Sequence, residues 1–257
     1  MQTELSDRWV RAFVGDVAVV DTRAPLVFWE ADFPIPRYAF DRHDVREDLL
    51  VAPTAPPPIE PRFFLPKAPV AQWYDLEVGD RRLPHAAWTY DDPDLAGRLV
   101  FSWQPGLVDR WLEEDEEVAG HPRDPYKRVD ALPSSRHVVV ALDGVQLAES
   151  RSPVLLFETG LPTRYYLPRE DVDLDLLTPT ANQSHCPYKG RAEEYWDVAG
   201  PPTARNVAWS YPDPYPAVGR IQGRIAFYNE LVDLTVDGMA QPRPVSVFSV
   251  QAHRPGS

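Results

Sequence analysis

The stretch "WVRAFVGDVAVVDTRAPLVFWE" (9–30) returns without a gap as "HVVVALDGVQLAESRSPVLLFE" (137–158). Val10 meets Val138, Val17 meets Val145, Arg23 meets Arg151, Pro25 meets Pro153 and Glu30 meets Glu158. After one residue is dropped, "RYAFDRHDVREDLL" (37–50) matches "RYYLPREDVDLDLL" (164–177). "AWTYDDP" (87–93) then matches "AWSYPDP" (208–214), "GRLVF" (97–101) matches "GRIAF" (223–227), and "LVD" closes both copies at 107–109 and 231–233. The block order is the same throughout, so the chain is a tandem duplication, and its fold is one unit written twice.

Each unit opens as a hairpin. In the second copy "HVVVA" and "VQLAE" flank Leu142-Asp143-Gly144, and Asp-Gly supplies the positive φ angles that a tight hairpin turn requires. "PVLLFE" and "RYYL" read as further strands, with Gly160, Pro162 and Thr163 between them. "DVDLDLL" after Pro168 reads as one helical turn, and "EEYWDVA", "NVAWSY" and "GRIAFYN" complete an all-β unit of about 100 residues. The expected layout is a first repeat over 1–118, a linker over 119–133 and a second repeat with a C-terminal tail over 134–257. A short strand is expected at 245–250.

Composition agrees with short strands and turns. The 257 residues include 29 prolines, with 8 tryptophans, 11 tyrosines and 10 phenylalanines. Proline is tolerated at turns and sheet edges rather than inside helices. A formal charge of −13 argues against a general nucleic-acid binder, which needs a basic surface. No run approaches the ~18 apolar residues of a membrane span. The opening "MQTELSDRWV" lacks the apolar segment of a secretory signal, so a soluble cytoplasmic protein is expected. A single cysteine, Cys186, builds neither a disulfide framework nor a cysteine-rich zinc site, and no metal or cofactor is expected.

The blocks "VLLFETGLPTRYYLPREDVDLDLL", "SHCPYKG", "NVAWSYPDP" and "GRIAFYNELVDL", in this order, resemble domain of unknown function 427, a family also labelled nucleotidyltransferase-like. "HPRDPYKRVD" followed by "SSRHV" is similar to the junction of its tandem members. The resemblance implies a β-rich fold of the β-tent kind, shared with methionine sulfoxide reductase B and the thalidomide-binding domain. Relatives with that fold often carry a four-cysteine zinc site, which Cys186 alone cannot form. The family's function is open, so membership leaves the chemistry to the residues.

The two copies can be compared residue by residue. Arg164 and Tyr165 match Arg37 and Tyr38; Trp209 and Tyr211 match Trp88 and Tyr90; Lys189 matches Lys67. Tyr166 is replaced by Ala39, His185 by Phe63, Cys186 by Phe64 and Gly190 by Ala68. A main pocket is therefore expected in the second copy, lined by Arg164, Tyr166, His185, Cys186, Lys189, Gly190, Trp209 and Tyr211. Arginine beside aromatics suits a planar or anionic ligand, through bidentate hydrogen bonds and stacking. Lys189 would favour a thiolate at Cys186. Adjacent residues on a strand face opposite ways, which separates His185 from Cys186. The plainer readings are an arginine paired with Glu158 or Glu170, and aromatics that form core.

Asp171, Asp173 and Asp175 raise the question of nucleotidyl transfer, because alternating carboxylates can hold magnesium. No glycine-rich phosphate loop accompanies them, and a solvated turn is the preferred reading. The expected function is binding of a small planar or anionic molecule by the second repeat. The alternative is a structural or interaction module, with a homodimer allowed.

Overall fold

The computed structural model describes residues 1–57, 63–198, 204–246, 248 and 249. The chain divides into two compact units, Met1–Asp124 and Pro125–Ser257. In the second, seven strands form one antiparallel sheet in the order Val129–Pro133, Val154–Glu158, Arg164–Leu167, Ile225–Phe227, Ala204–Ser210, Glu194–Val198, Leu177–Thr180. A four-stranded sheet runs Val145–Ser150, Val138–Leu142, Asp233–Val236, Met239–Gln241. The first unit repeats this order. Gln2–Leu5, Leu26–Trp29 and Arg37–Ala39 connect, through a bridge between Phe40 and Leu99, to Val100–Phe101, Arg81–Tyr90, Val70–Val78 and Leu50–Val51. Its smaller sheet is Val17–Thr22, Val10–Val14, Arg110–Glu113, Glu116–Glu117. The chain is thus all-β, two tandem units built of antiparallel sheets.

The hairpin signal holds at the level of single dihedrals. Asp143 and Gly144 have φ of 49° and 82°, the left-handed pair that splices the twist of the flanking strands. Val138, Val140 and Leu142 point inward while Val139 and Ala141 are half-exposed. These inward residues, with Leu147 and Leu234, meet Leu167, Trp196, Val207, Ile225 and Phe227 from one face of the large sheet. The opposite face carries Val154, Leu156, Tyr166, Tyr195, Trp209, Tyr211 and Ala226 in a second cluster. That second face holds most of the predicted site residues.

A β-bulge occurs at the same place in both units. The register shifts between Tyr74 and Leu76 in the first and between Trp196 and Val198 in the second. The extra residue is an aspartate each time. Asp75 accepts from the His85 amide at 2.8 Å and Asp197 from the Asn206 amide at 2.6 Å. His85 and Asn206 both have positive φ, 52° and 48°. A carboxylate that satisfies the freed amide holds a conformation that β-carbon sterics disfavour.

Three expectations are revised. Residues 129–133, assigned to a linker, form the outer strand of the large sheet, because Val129 to Pro133 pair in register with Glu158 to Val154. "DVDLDLL" forms two short 3-10 turns, Arg169–Asp171 and Leu174–Leu176, rather than one helical turn, and Asp173 caps the second by accepting from the Asp175 amide at 3.2 Å. The strand expected at 245–250 is a turn where described: the Ser249 amide donates to the Ser246 carbonyl at 3.0 Å. Val247 and Val250 lie outside the described residues. Among the described residues there is no α-helix, and no helix is long and apolar enough to cross a membrane.

Candidate functional site

One row of the large sheet places the aromatic pair. Tyr166 lies opposite Ala226, Ala226 opposite Trp209, and Trp209 opposite Tyr195, all on one face. The small Ala226 leaves room between its neighbours, so the Trp209 Nε1–H reaches the Tyr166 hydroxyl at 3.1 Å. Tyr166 is fully buried, and Trp209 and Tyr211 are nearly so. Burial raises the Tyr166 hydroxyl above its ordinary value, and Tyr195, Tyr211 and Tyr228 rise for the same leading reason. Four tyrosines and a tryptophan make this layer a polar-edged aromatic core.

Two ion pairs sit in that layer. Arg164 donates through both terminal nitrogens to Glu230, at 2.6 and 2.8 Å, with both side chains buried. Ser246 also donates to Glu230 Oε1, at 2.5 Å. Burial by itself would raise the Glu230 carboxyl, but the bonds from Arg164 and Ser246 outweigh it and hold the group below its usual value. Lys189 donates to Glu158 Oε2 at 2.5 Å, and Lys127 approaches the other oxygen at 3.5 Å. Burial would lower the Lys189 ammonium, yet its interactions with Cys186 and Glu158 keep it above the ordinary value.

The remaining predicted residues are distributed by the hairpin Ser184–Cys186 and Gly190–Ala192. Cys186 is half-buried and interacts electrostatically with Lys189, Tyr166, Tyr195 and Tyr211. His185 is exposed, on the other face of the strand. Gly190 has φ of +93° and bridges to Pro214, and a β-carbon there would stand 3.5 Å from the Asp213 carbonyl oxygen. The close approach that its glycine permits is therefore to the 213–215 turn. Six of the eight residues, Arg164, Tyr166, Cys186, Lys189, Trp209 and Tyr211, share one layer. His185 lies outside it, and Gly190 supports it.

Sequence reasoning missed Glu230, Tyr228 and Phe248. The Arg164 guanidinium carbon lies 5.6 Å from the Trp209 ring centroid, 5.3 Å from Tyr228 and 5.4 Å from Phe248, so three aromatics surround the Arg164–Glu230 pair. A signal for Glu230 existed. The shared "LVD" aligns it with Gly106, so a carboxylate appears in the second copy next to an apolar run. Phe248 carried no signal, because it lies beyond the matched blocks.

The first unit wires the same residues differently. Arg37 turns to Glu30, the counterpart of Glu158, at 2.6 Å, and also donates to the carbonyls of Phe64 and Leu65. Glu30 Oε1 accepts from the amides of Lys67 and Ala68 and from the Tyr90 hydroxyl. Trp88 has Ala39 where Trp209 has Tyr166, and its buried Nε1–H leans toward Tyr90 without a well-formed bond. Among the described residues, the one group of three metal-capable side chains is Asp41, His43 and Asp44, in the exposed turn after Phe40.

The molecule is thus a duplicated all-β domain whose second copy buries an arginine–glutamate pair among aromatics. The profile of the family described as Domain of unknown function (DUF427) matches residues 2–114 and again 130–238. These matches span most of the chain, which belongs to that family as a tandem pair. No curated protein matches it.

Proposed function

We propose that the second repeat is a binding module for a small planar molecule, received in the slot bounded by Trp209, Tyr228 and the Arg164–Glu230 pair. The observation that carries this reading is the slot's present occupant. Phe248 lays its ring 5.6 Å from Tyr228, and Ser246 gives its hydroxyl proton to Glu230. A ring with one hydroxyl or N–H donor reproduces both contacts. Because Glu230 already neutralises Arg164, a planar donor suits the site better than an anion does. A free anion would have to displace a buried carboxylate.

The test is titration of the full chain and of its Phe248→Ala variant with p-cresol and indole, followed by NMR. Binding to Phe248→Ala is expected, and it should weaken about tenfold when Tyr228→Leu is added, since a stacking wall is lost. Tyr228→Leu leaves the buried ion pair in place, which Arg164→Ala would not. Probe binding that ignores Tyr228→Leu would refute the reading. The interaction-module alternative draws on Leu132 and Phe157, 48% and 41% exposed on the outer two strands of the large sheet. If it holds, Leu132→Glu with Phe157→Glu abolishes a self-association visible by sedimentation.

A further inference from the structure

We infer that the turn carrying Pro244, Val245, Ser246, Phe248 and Ser249 is a detachable strap that closes the slot of the second repeat, so that the site exists in a closed and an open form. The inference uses the slot proposed above, and adds that the chain itself competes for it.

The strap is built to hold its own shape. The Ser246 amide donates to Ser249 Oγ at 2.9 Å, the Phe248 amide to Ser246 Oγ at 3.1 Å, and the Ser249 amide to the Ser246 carbonyl at 3.0 Å. Ser249 Oγ in turn donates to the Pro244 carbonyl at 3.4 Å. These bonds close within the turn and need nothing from the domain. Pro242 and Pro244 remove two backbone donors just before it, so no ladder ties this stretch to the sheet there.

Among the described residues of the turn, attachment to the domain is made through two side chains, with the exposed Arg243–Asp233 pair ahead of them. Ser246 Oγ donates to Glu230 Oε1, and the Phe248 ring lies against Tyr228 and the Arg164 guanidinium. Between the prolines and this anchor, Val245 is 94% exposed. Release breaks one side-chain hydrogen bond and the ring contacts of Phe248 with Tyr228 and Arg164, and leaves the Arg164–Glu230 pair intact at the floor. The vacated walls are two rings and a carboxylate oxygen that keeps its bond from Arg164 but has lost the one from Ser246. Such a surface favours re-closure by the strap or entry of a ligand with the same ring-and-donor pattern. Local contacts this few are the mark of an element at the low-stability end of a fold.

The experiment uses the full chain and a synthetic peptide of residues 242–251 as the probe. The Ser246→Ala/Phe248→Ala chain, checked for folding by circular dichroism, should bind the peptide about tenfold or more tightly than the wild-type chain, whose own strap competes. The peptide carrying Phe248→Ala should not bind. Equal affinity for both chains, no binding to either, or undiminished binding of the Phe248→Ala peptide would each overturn the strap. p-Cresol plays no part in this comparison, so a site that rejects small rings but accepts the peptide refutes the ligand reading and leaves the strap standing.

Discussion

Arg164→Ala should destabilise the second unit severely, and for a reason separate from ligand binding. The Arg164 and Glu230 side chains are 7% and 1% exposed, so solvent and salt screen the pair little. Removing the arginine leaves a carboxylate in the aromatic layer with only Ser246 as donor. Breaking a buried pair from one side costs about 3–5 kcal/mol. A unit of this size unfolds with an entropy of roughly 0.25–0.3 kcal/mol/K, so the melting temperature should fall by roughly 10–20 °C. The informative partner is Arg164→Met with Glu230→Leu. It removes both charges while keeping bulk, and should lie within about 2 kcal/mol of wild type. Calorimetry gives the midpoints, and hydrogen exchange assigns the loss to residues 125–249. If Arg164→Ala melts within about 2 °C of wild type, Glu230 is hydrated or protonated in the folded protein, and the buried-pair argument fails.

Acid should act through the same pair. The folded Glu230 carboxyl lies below its ordinary value of 4.5, so the unfolded chain takes up the proton first. Its stabilisation is complete above 4.5 and is lost as pH falls through the folded value; melting temperature against pH should steepen there, and Glu230→Gln should flatten the slope. Lys189 has the opposite sign: raised when folded, it stabilises fully below 10.5 and loses this as pH climbs above, which alkaline unfolding of Lys189→Met tests. Gly190→Ala should cost about 1–3 kcal/mol, because φ of +93° is strained for any side chain even though the space itself is adequate, and chemical denaturation measures it. Chelators should leave the melting temperature unchanged, and elemental analysis should find no tightly held zinc, since Cys186 is the only cysteine.

The sequence exposed what repeats locally and hid what pairs at long range. Hairpins, strand positions and the doubling of the unit follow from period-two patterning, from Asp-Gly, and from matched blocks. The Asp75 and Asp197 bulges also sit at matched positions, yet a one-residue shift in pairing leaves no mark on composition. Arg164 shows the limit more sharply. The sequence offers Glu158 or Glu170 as its partner, both near in the chain, whereas the structure supplies Glu230, 66 residues on, from the loop after the neighbouring strand Ile225–Phe227. Patterning fixes the face on which a side chain stands, but not which of several carboxylates on the neighbouring elements will meet it.

The two wirings of one arginine also explain why the copies diverged where they did. In the first unit Arg37 is held by Glu30 and by the Phe64 and Leu65 carbonyls, so its guanidinium is satisfied within the loop that Phe63 and Phe64 fill. In the second unit the glutamate at that position, Glu158, is taken by Lys189. Arg164 then needs a new anion, and Glu230 appears where the first copy has Gly106. Lys67 shows that a lysine alone does not force this change, because there its backbone amide, rather than its ammonium, is what meets Glu30 Oε1. The exchange therefore depends on the "SHCPYKG" hairpin, which carries the Lys189 side chain inward beside Cys186. A second copy given Phe at 185 and 186 and Ala at 190 should lose the Lys189–Glu158 contact and free Glu158 for Arg164. Glu230 would then be left with Ser246 as its donor, and its carboxyl should move up from its depressed value. Carboxylate-selective NMR titration of that triple variant checks the direction, and a Glu230 that titrates as in wild type would show that the two ion pairs are independent.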